Sequence, residues 1–253
     1  MRFAELKDCL VDPVAFVTTR LGFVPDLKQE LLLRGRMHRV LLNCSRQWGK
    51  STITAAKAVH RAYTVPDSLV VVLGPGARQS AEFVRKAAGF ARRLGIRPRG
   101  DGDNEMSLQF PGGSRIVGLP GNGDTVRGFS AVSLMIIDEA ARVSDDLYNA
   151  VSPMLAVGDG DLWLMSTPHG QRGFFYEEWA NGGERWERLS VPASECARID
   201  PGFLEEQRKS KGERWFRQEY CCEFMDSEGS LFDSALIRRA INYDLQPLEL
   251  DEY

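Results

Sequence analysis

The tripeptide Gly49-Lys50-Ser51 stands where two very different sequence patterns meet. Before it, Val40-Leu41-Leu42-Asn43 is a short apolar run that reads as a buried strand. After it, Lys50 to Ala62 is rich in alanine and other helix formers, and Pro66-Asp67-Ser68 ends the helix. A strand entering a helix through Gly-Lys-Ser is the layout of a phosphate-binding loop, in which backbone N–H groups and a helix N-terminus converge on phosphate oxygens. The loop here is Cys44-Ser45-Arg46-Gln47-Trp48-Gly49-Lys50-Ser51, running on into Thr52, and it departs from Gly-x-x-x-x-Gly-Lys-[Ser/Thr] only at the first glycine, where Cys44 sits. Gly49 allows close backbone approach, Lys50 neutralises charge on the β- and γ-phosphates, and Ser51 offers a hydroxyl ligand to Mg²⁺. Alone, Gly-Lys-Ser is equally a plain helix start; the flanking strand and helix select the phosphate reading.

A second junction supports the first. Leu134-Met135-Ile136-Ile137-Asp138-Glu139-Ala140 places two acids at the carboxyl end of a buried strand, the edge where ligands bind in α/β sheets. Asp138 is the expected Mg²⁺ partner, because Mg²⁺ takes hard oxygen ligands. Glu139 is the expected base that polarises the water attacking the γ-phosphate. An N-cap Asp with a first-turn Glu would look the same in isolation. With a phosphate loop upstream, the catalytic reading prevails.

The rest of the chain alternates in the same manner. Leu69 to Leu73 and Leu162 to Met165 read as buried strands, Arg188 to Val191 as a further one, and Arg78 to Leu94 as a helix. Met106 to Phe110 and Ser114 to Val117 flank Pro111-Gly112-Gly113 as a hairpin. Residues 1–38 form a helical segment with Pro13 and Pro25 as breaks. The pattern predicts an α/β fold of the P-loop NTPase (ASCE) type, with a mostly parallel central sheet flanked by helices. No apolar run approaches the roughly 20 residues that span a bilayer, so no membrane partner is expected. The five cysteines are scattered and make no Cys-x-x-Cys pair, which argues against a disulfide framework or a zinc site. A net charge of −3 excludes a wholly basic nucleic-acid binder but leaves room for a local basic face.

Taken together, these segments resemble the large terminase subunit of tailed bacteriophages, the ATPase that packages DNA into procapsids. The resemblance rests on the variant loop Cys44 to Ser51 with an arginine inside it, on Met135-Ile136-Ile137-Asp138-Glu139-Ala140, on Ser166-Thr167-Pro168 after an apolar strand, and on Pro25-Asp26-Leu27-Lys28-Gln29 upstream. It spans about Phe23 to Phe232. It implies an ATPase domain over residues 1–232, with 233–253 a linker or tail toward a nuclease domain that these residues do not supply, so no nuclease activity is expected from this chain. It implies ATP and Mg²⁺ as cofactors, and double-stranded DNA, the procapsid portal protein and the small terminase subunit as partners. A ring of five subunits in the host cell cytoplasm is the implied setting, with a monomer in isolation.

Several further residues take roles within that resemblance. Gln29 would pair with the adenine edge, or else be an ordinary polar helix residue. Arg46 would reach the γ-phosphate from within the loop, or face solvent. Thr167 would sense the γ-phosphate and relay its loss, or simply turn the chain. Arg127, in Asp124-Thr125-Val126-Arg127-Gly128, is the candidate arginine finger acting on a neighbour's nucleotide, with Arg115 second. Arg85, Lys86, Arg92, Arg93, Arg97 and Arg99 occur with no acid among them, and spacing of seven puts Arg85 with Arg92 and Lys86 with Arg93 on one helical stripe that could track DNA phosphates. A solvated basic face is the competing reading. Two rival functions stand beside the motor: a helicase-like or remodelling ATPase, which would close a second RecA-like domain over ATP, and a nucleotide-dependent scaffold, which would lack an acid such as Glu139.

Overall fold

Seven strands form one sheet in the order β3-β4-β2-β5-β6-β1-β7. They are β1 (Arg39–Cys44), β2 (Leu69–Leu73), β3 (Ser107–Gln109), β4 (Arg115–Leu119), β5 (Val132–Asp138), β6 (Asp161–Ser166) and β7 (Glu187–Val191). Every neighbouring pair is parallel except β3 with β4, the antiparallel hairpin expected around Pro111-Gly112-Gly113. The helices are α1 (Pro13–Thr19), α2 (Leu27–Arg34), α3 (Lys50–Thr64), α4 (Ala77–Arg93), α5 (Asp145–Val151), α6 (Gly173–Asn181), α7 (Pro201–Lys211) and α8 (Glu213–Tyr220). This computed structural model describes residues 10–103, 106–121, 128–226 and 239–241.

The central strands are apolar on both faces, as they must be when helices cover both sides of a parallel sheet. Their side chains divide by the two-residue strand period. Val40, Leu42, Val70, Val72, Leu134, Ile136, Trp163 and Met165 join one core with α1 to α4. Leu41, Val71, Leu73, Met135, Ile137, Leu162 and Leu164 join a second core with α5 and α6. Buried Ala55, Ala56, Ala58 and Ala62 on α3 contribute small side chains to the first core.

Both proline breaks expected in the N-terminal segment are present. Pro13 stands at a break: the helical residues Leu10 and Val11 end at Asp12, and Pro13 opens α1 at its first helical position, with Asp12 as the N-cap accepting from the Val14 N–H at 3.0 Å. Pro25 does precede a boundary: Asp26 caps α2 in a reciprocal box with Gln29. The four described cysteines, Cys44, Cys196, Cys221 and Cys222, carry free thiols. Among the described residues, no helix is long and apolar enough to cross a membrane.

Strand order decides where the site lies. The chain leaves β1, crosses over β6 and β5, and lays down β2 on their far side. The strand ending in the phosphate loop and the strand ending in Asp138 therefore sit two places apart, with β6 between them. A crevice opens at the carboxyl ends of such strands.

Candidate nucleotide-binding site

Gly49 adopts a left-handed backbone (φ +97°) that ends the loop and begins α3, a conformation open to glycine at little cost. A Cβ there would meet Gln29 Nε2 at 3.5 Å, an ordinary contact, so the backbone angle and not crowding demands glycine. Two neighbouring elements hold the loop from outside. Trp48 is buried and donates its indole N–H to Asp26 Oδ2 at 3.0 Å, while its carbonyl accepts from Gln29 Nε2 at 3.2 Å and from Arg198. Gln29 Oε1 accepts from the Asp26 N–H at 3.0 Å. Both ends of the Gln29 amide are thus engaged, and the residue is fully buried. The residue braces α2 against the phosphate loop.

At the mouth of the loop, Ser51 Oγ donates to Asp138 Oδ2 at 3.0 Å, and Lys50 Nζ lies 3.2 Å from Glu139 Oε1. Asp138 also accepts the Glu139 N–H at 2.9 Å. Burial pushes the Asp138 carboxyl above its usual range, with the Lys50 ammonium opposing that shift. Glu139 takes a left-handed backbone (φ +52°) that glutamate seldom adopts, a local strain of the kind stored at working sites. It turns the chain sharply off β5 and leaves the carboxylate partly exposed at the opening. Ser51 and Asp138 bring two hard oxygens together beside a cationic loop. That donor set fits Mg²⁺, which completes its shell with water and phosphate oxygens.

Lys50, Ser51 and Glu139 line a cavity of 570 Å³, with Asp138 buried just behind Ser51. Among the described residues, Arg46, Lys50, Lys86 and Arg142 face it against a single carboxylate, Glu139, a balance suited to a polyanion. Gln47 and Thr52 also line it, whereas Ser45 is buried beneath the loop. Thr167 follows β6 and is buried between the two ligand-bearing strands.

A family model described as the N-terminal part of the T4likevirus-type terminase large subunit matches residues 41–239. The chain belongs to the terminase large subunit family. The large subunit of Escherichia phage T5 is 26% identical over 241 residues, covering 88% of this chain and 53% of that protein. The large subunit of Thermus phage G20c is also 26% identical, covering 84% and 51%. The chain thus spans about half the length of the curated relatives it matches. In three dimensions it is similar to the large terminase ATPase domain of Thermus phage P74-26, with a TM-score of 0.75, 22% identity, and coverage of 85% of this chain and 100% of that one. It is similar also to the large terminase of a thermophilic bacteriophage in complex with ADP, with a TM-score of 0.67, 15% identity, and coverage of 78% and 53%. The fold is that of the terminase ATPase domains, a P-loop NTPase of the ASCE type.

Within this terminase fold the basic residues read from the sequence have different immediate partners. Lys86 lines the nucleotide cavity. Arg93 donates to the Leu21 and Gly22 carbonyls, tying α4 to the end of α1. Arg85 pairs with Glu82 on an exposed face, Arg92 is exposed, and Arg97 and Arg99 border a separate hollow of 380 Å³ beside Phe110. The pairs set by spacing of seven do share faces: Lys86 and Arg93 border one hollow with Phe90, and Arg85 and Arg92 are both exposed. Arg115, the second finger candidate, is held by Asp101 at 3.2 Å and lies over the Phe129 ring. Arg127 lies outside the described residues, as does nearly all of 233–253.

Arg46 makes a contact that its sequence position did not suggest. Its Nε donates to Glu219 Oε2 at 2.5 Å, and Glu219, at the end of α8, is only 2% exposed. Arg142, three residues past Glu139, is an ion-pair partner of the same carboxylate at 3.6 Å. Arg142 was legible as a basic residue one turn beyond the acids. Glu219 had no such signal, since it sits in a charged helix some 170 residues from the loop it meets.

Proposed function

We propose that this chain is the motor domain of a viral large terminase, hydrolysing ATP with Mg²⁺ to move double-stranded DNA into a procapsid. The observation that carries this reading is the pairing of Lys50 with Glu139 beside the pairing of Ser51 with Asp138, across the mouth of one cationic cavity. Phosphoryl transfer asks a protein mainly for positioning and charge neutralisation. Lys50 and the N-terminus of α3 hold the phosphates, and Ser51 with Asp138 would hold Mg²⁺. An ion held there would supply positive charge to the phosphates. Glu139 orients the attacking water, and Thr167, between the two strands, reports the loss of the γ-phosphate to β6.

In this reading Arg127 is supplied to the site of an adjoining subunit in a ring of five on the portal protein, with the small terminase subunit delivering DNA in the host cytoplasm. Similarity to terminase large subunits supports the terminase role, and a solved large terminase of similar fold is known in complex with ADP and with ATP-gamma-S. The decisive experiment measures ATP turnover with and without double-stranded DNA and procapsids. Turnover that rises with DNA and procapsid supports the motor. A chain that binds ATP yet releases no phosphate under any of these conditions supports the scaffold reading instead. Turnover stimulated by single-stranded nucleic acid alone favours the helicase-like reading.

A further inference from the structure

Glu219 is a nearly fully buried carboxylate that the phosphate-transfer scheme does not use. It reaches the nucleotide cavity only through two arginines. Arg46 offers its Nε to Glu219 Oε2, which leaves both terminal nitrogens of that guanidinium for another acceptor. Arg142 approaches Glu219 Oε1 with one terminal nitrogen. Both arginines line the cavity, and both are partly exposed there, with side-chain exposures of 52% and 36%.

Without a shared anion, Arg46 and Arg142 would repel one another and spread into solvent. Glu219 offsets that repulsion and fixes one edge of each guanidinium. The geometry also limits how the arginines can move. If both left Glu219 for a phosphate, a buried carboxylate would be stranded without a partner, a costly arrangement. They must therefore reach toward a ligand while pivoting about Glu219.

The backbone around Glu219 is itself fastened to the loop. The Arg46 N–H meets the Glu219 carbonyl at 3.4 Å, and Asn43 Nδ2 donates to the Cys222 carbonyl at 2.8 Å. The end of α8 is thereby fixed against β1 and the phosphate loop, so the carboxylate has a defined position from which to aim the arginines.

We propose that Glu219 is a positioning residue for recognition of the terminal phosphate: its buried carboxylate grips Arg46 and Arg142 by one edge each, so that their remaining donors face the γ-phosphate of a nucleoside triphosphate. The inference rests on the nucleotide reading of the cavity and adds to it the means of telling a triphosphate from a diphosphate. Charge-assisted, fork-like contacts from arginine are the strong ones for such discrimination.

The test compares affinities for Mg²⁺-ATPγS and Mg²⁺-ADP by titration calorimetry on the whole chain, which needs no hydrolysis and no neighbouring subunit. The wild-type chain is expected to prefer ATPγS by on the order of tenfold, the scale of one charge-assisted contact. Glu219→Gln keeps the shape and removes the charge; it is expected to bring that ratio near one while ADP affinity stays within about twofold, because only γ-phosphate contacts are lost. Glu219→Asp, with the carboxylate drawn back by one methylene, serves by the same criteria where thermal melting shows that Glu219→Gln does not fold. A retained wild-type ratio overturns the inference. So does a parallel loss of ADP and ATPγS affinity, which would mark Glu219 as a purely structural anchor. A wild-type chain that binds neither nucleotide overturns the nucleotide reading itself.

Discussion

The Lys50 ammonium lies 3.2 Å from a carboxylate oxygen of Glu139, although the two residues stand far apart in the chain. Each partner is also a group that phosphate chemistry would claim. A polyphosphate entering the cavity competes for Lys50, and as it does so Glu139 is released to accept a hydrogen bond from water. The pair therefore makes opposite predictions for its two members. Glu139→Gln is expected to bind ATP at least as tightly as the wild type, while turnover falls by about 10²–10⁴-fold, the usual range for a lost general base. Lys50→Ala is expected to lose binding itself. Equilibrium binding and phosphate release, measured on both variants, check this; unchanged turnover in Glu139→Gln would remove Glu139 from the mechanism.

Gln29 supports the phosphate loop through Trp48 and completes the cap of α2 through Asp26. Gln29→Ala is expected to cost about 1–2 kcal/mol of stability, the sum of a lost cap contact and a lost buried hydrogen bond. It should also weaken ATP and GTP binding by similar factors, because a brace does not read the base. Denaturant melts and titrations with both nucleotides give the comparison. A selective loss of ATP would instead restore adenine recognition to this residue.

His60 predicts how stability depends on pH. It sits on α3 with its ring edge-on to Phe16, and Nε2 contacts the Leu10 carbonyl at 3.0 Å. Burial pushes its pKa down to about 4, helped by Lys57 and Arg61 and opposed by the Leu10 contact and by Asp12. The unfolded chain takes up this proton near pH 6.5, whereas the folded chain resists it until about pH 4. The unfolded state binds more protons in that window, so stability falls as pH drops from 6.5 toward 4, by at most about 3 kcal/mol from this group. Thermal melts of the wild type and His60→Gln across the window should converge at low pH. Parallel curves would show that His60 is not the group responsible.

Arg127 is expected to complete a neighbour's site. Mixing Arg127→Ala subunits with Lys50→Ala subunits on procapsids should recover part of the turnover that each alone lacks, since a site with an intact Lys50 can then receive an intact Arg127. The rate acceleration supplied by such fingers, about 10³–10⁵-fold, makes even partial recovery readable. Mixed rings that assemble and stay inactive would assign Arg127 elsewhere.

The residues proposed to touch phosphate were legible because their pattern is local. Gly49-Lys50-Ser51 begins the helix that follows one strand, and Asp138-Glu139 stands at the end of another, so each is marked by the short stretch of chain around it. Alternating apolar runs likewise determined the parallel sheet, since strands covered on both faces must be apolar on both faces. Charge does not carry its own direction in this manner. The six basic residues from Arg85 to Arg99 looked equivalent in the sequence, yet Lys86 faces the cavity, Arg93 fastens α4 to the end of α1, and Arg85 pairs with Glu82. Long flexible cations take whatever partner the packing brings within reach.

The sequence by itself thus determined that the chain holds a phosphate loop and an acidic strand end on an α/β sheet. Only the tertiary structure decided that β6 stands between those strands, that Gln29 braces the loop, and that Glu219 closes on Arg46. Local pattern is fixed by periodicity and residue type within a short stretch of chain. The environment of a buried carboxylate is fixed by which distant segment packs over it, and that depends on the whole fold.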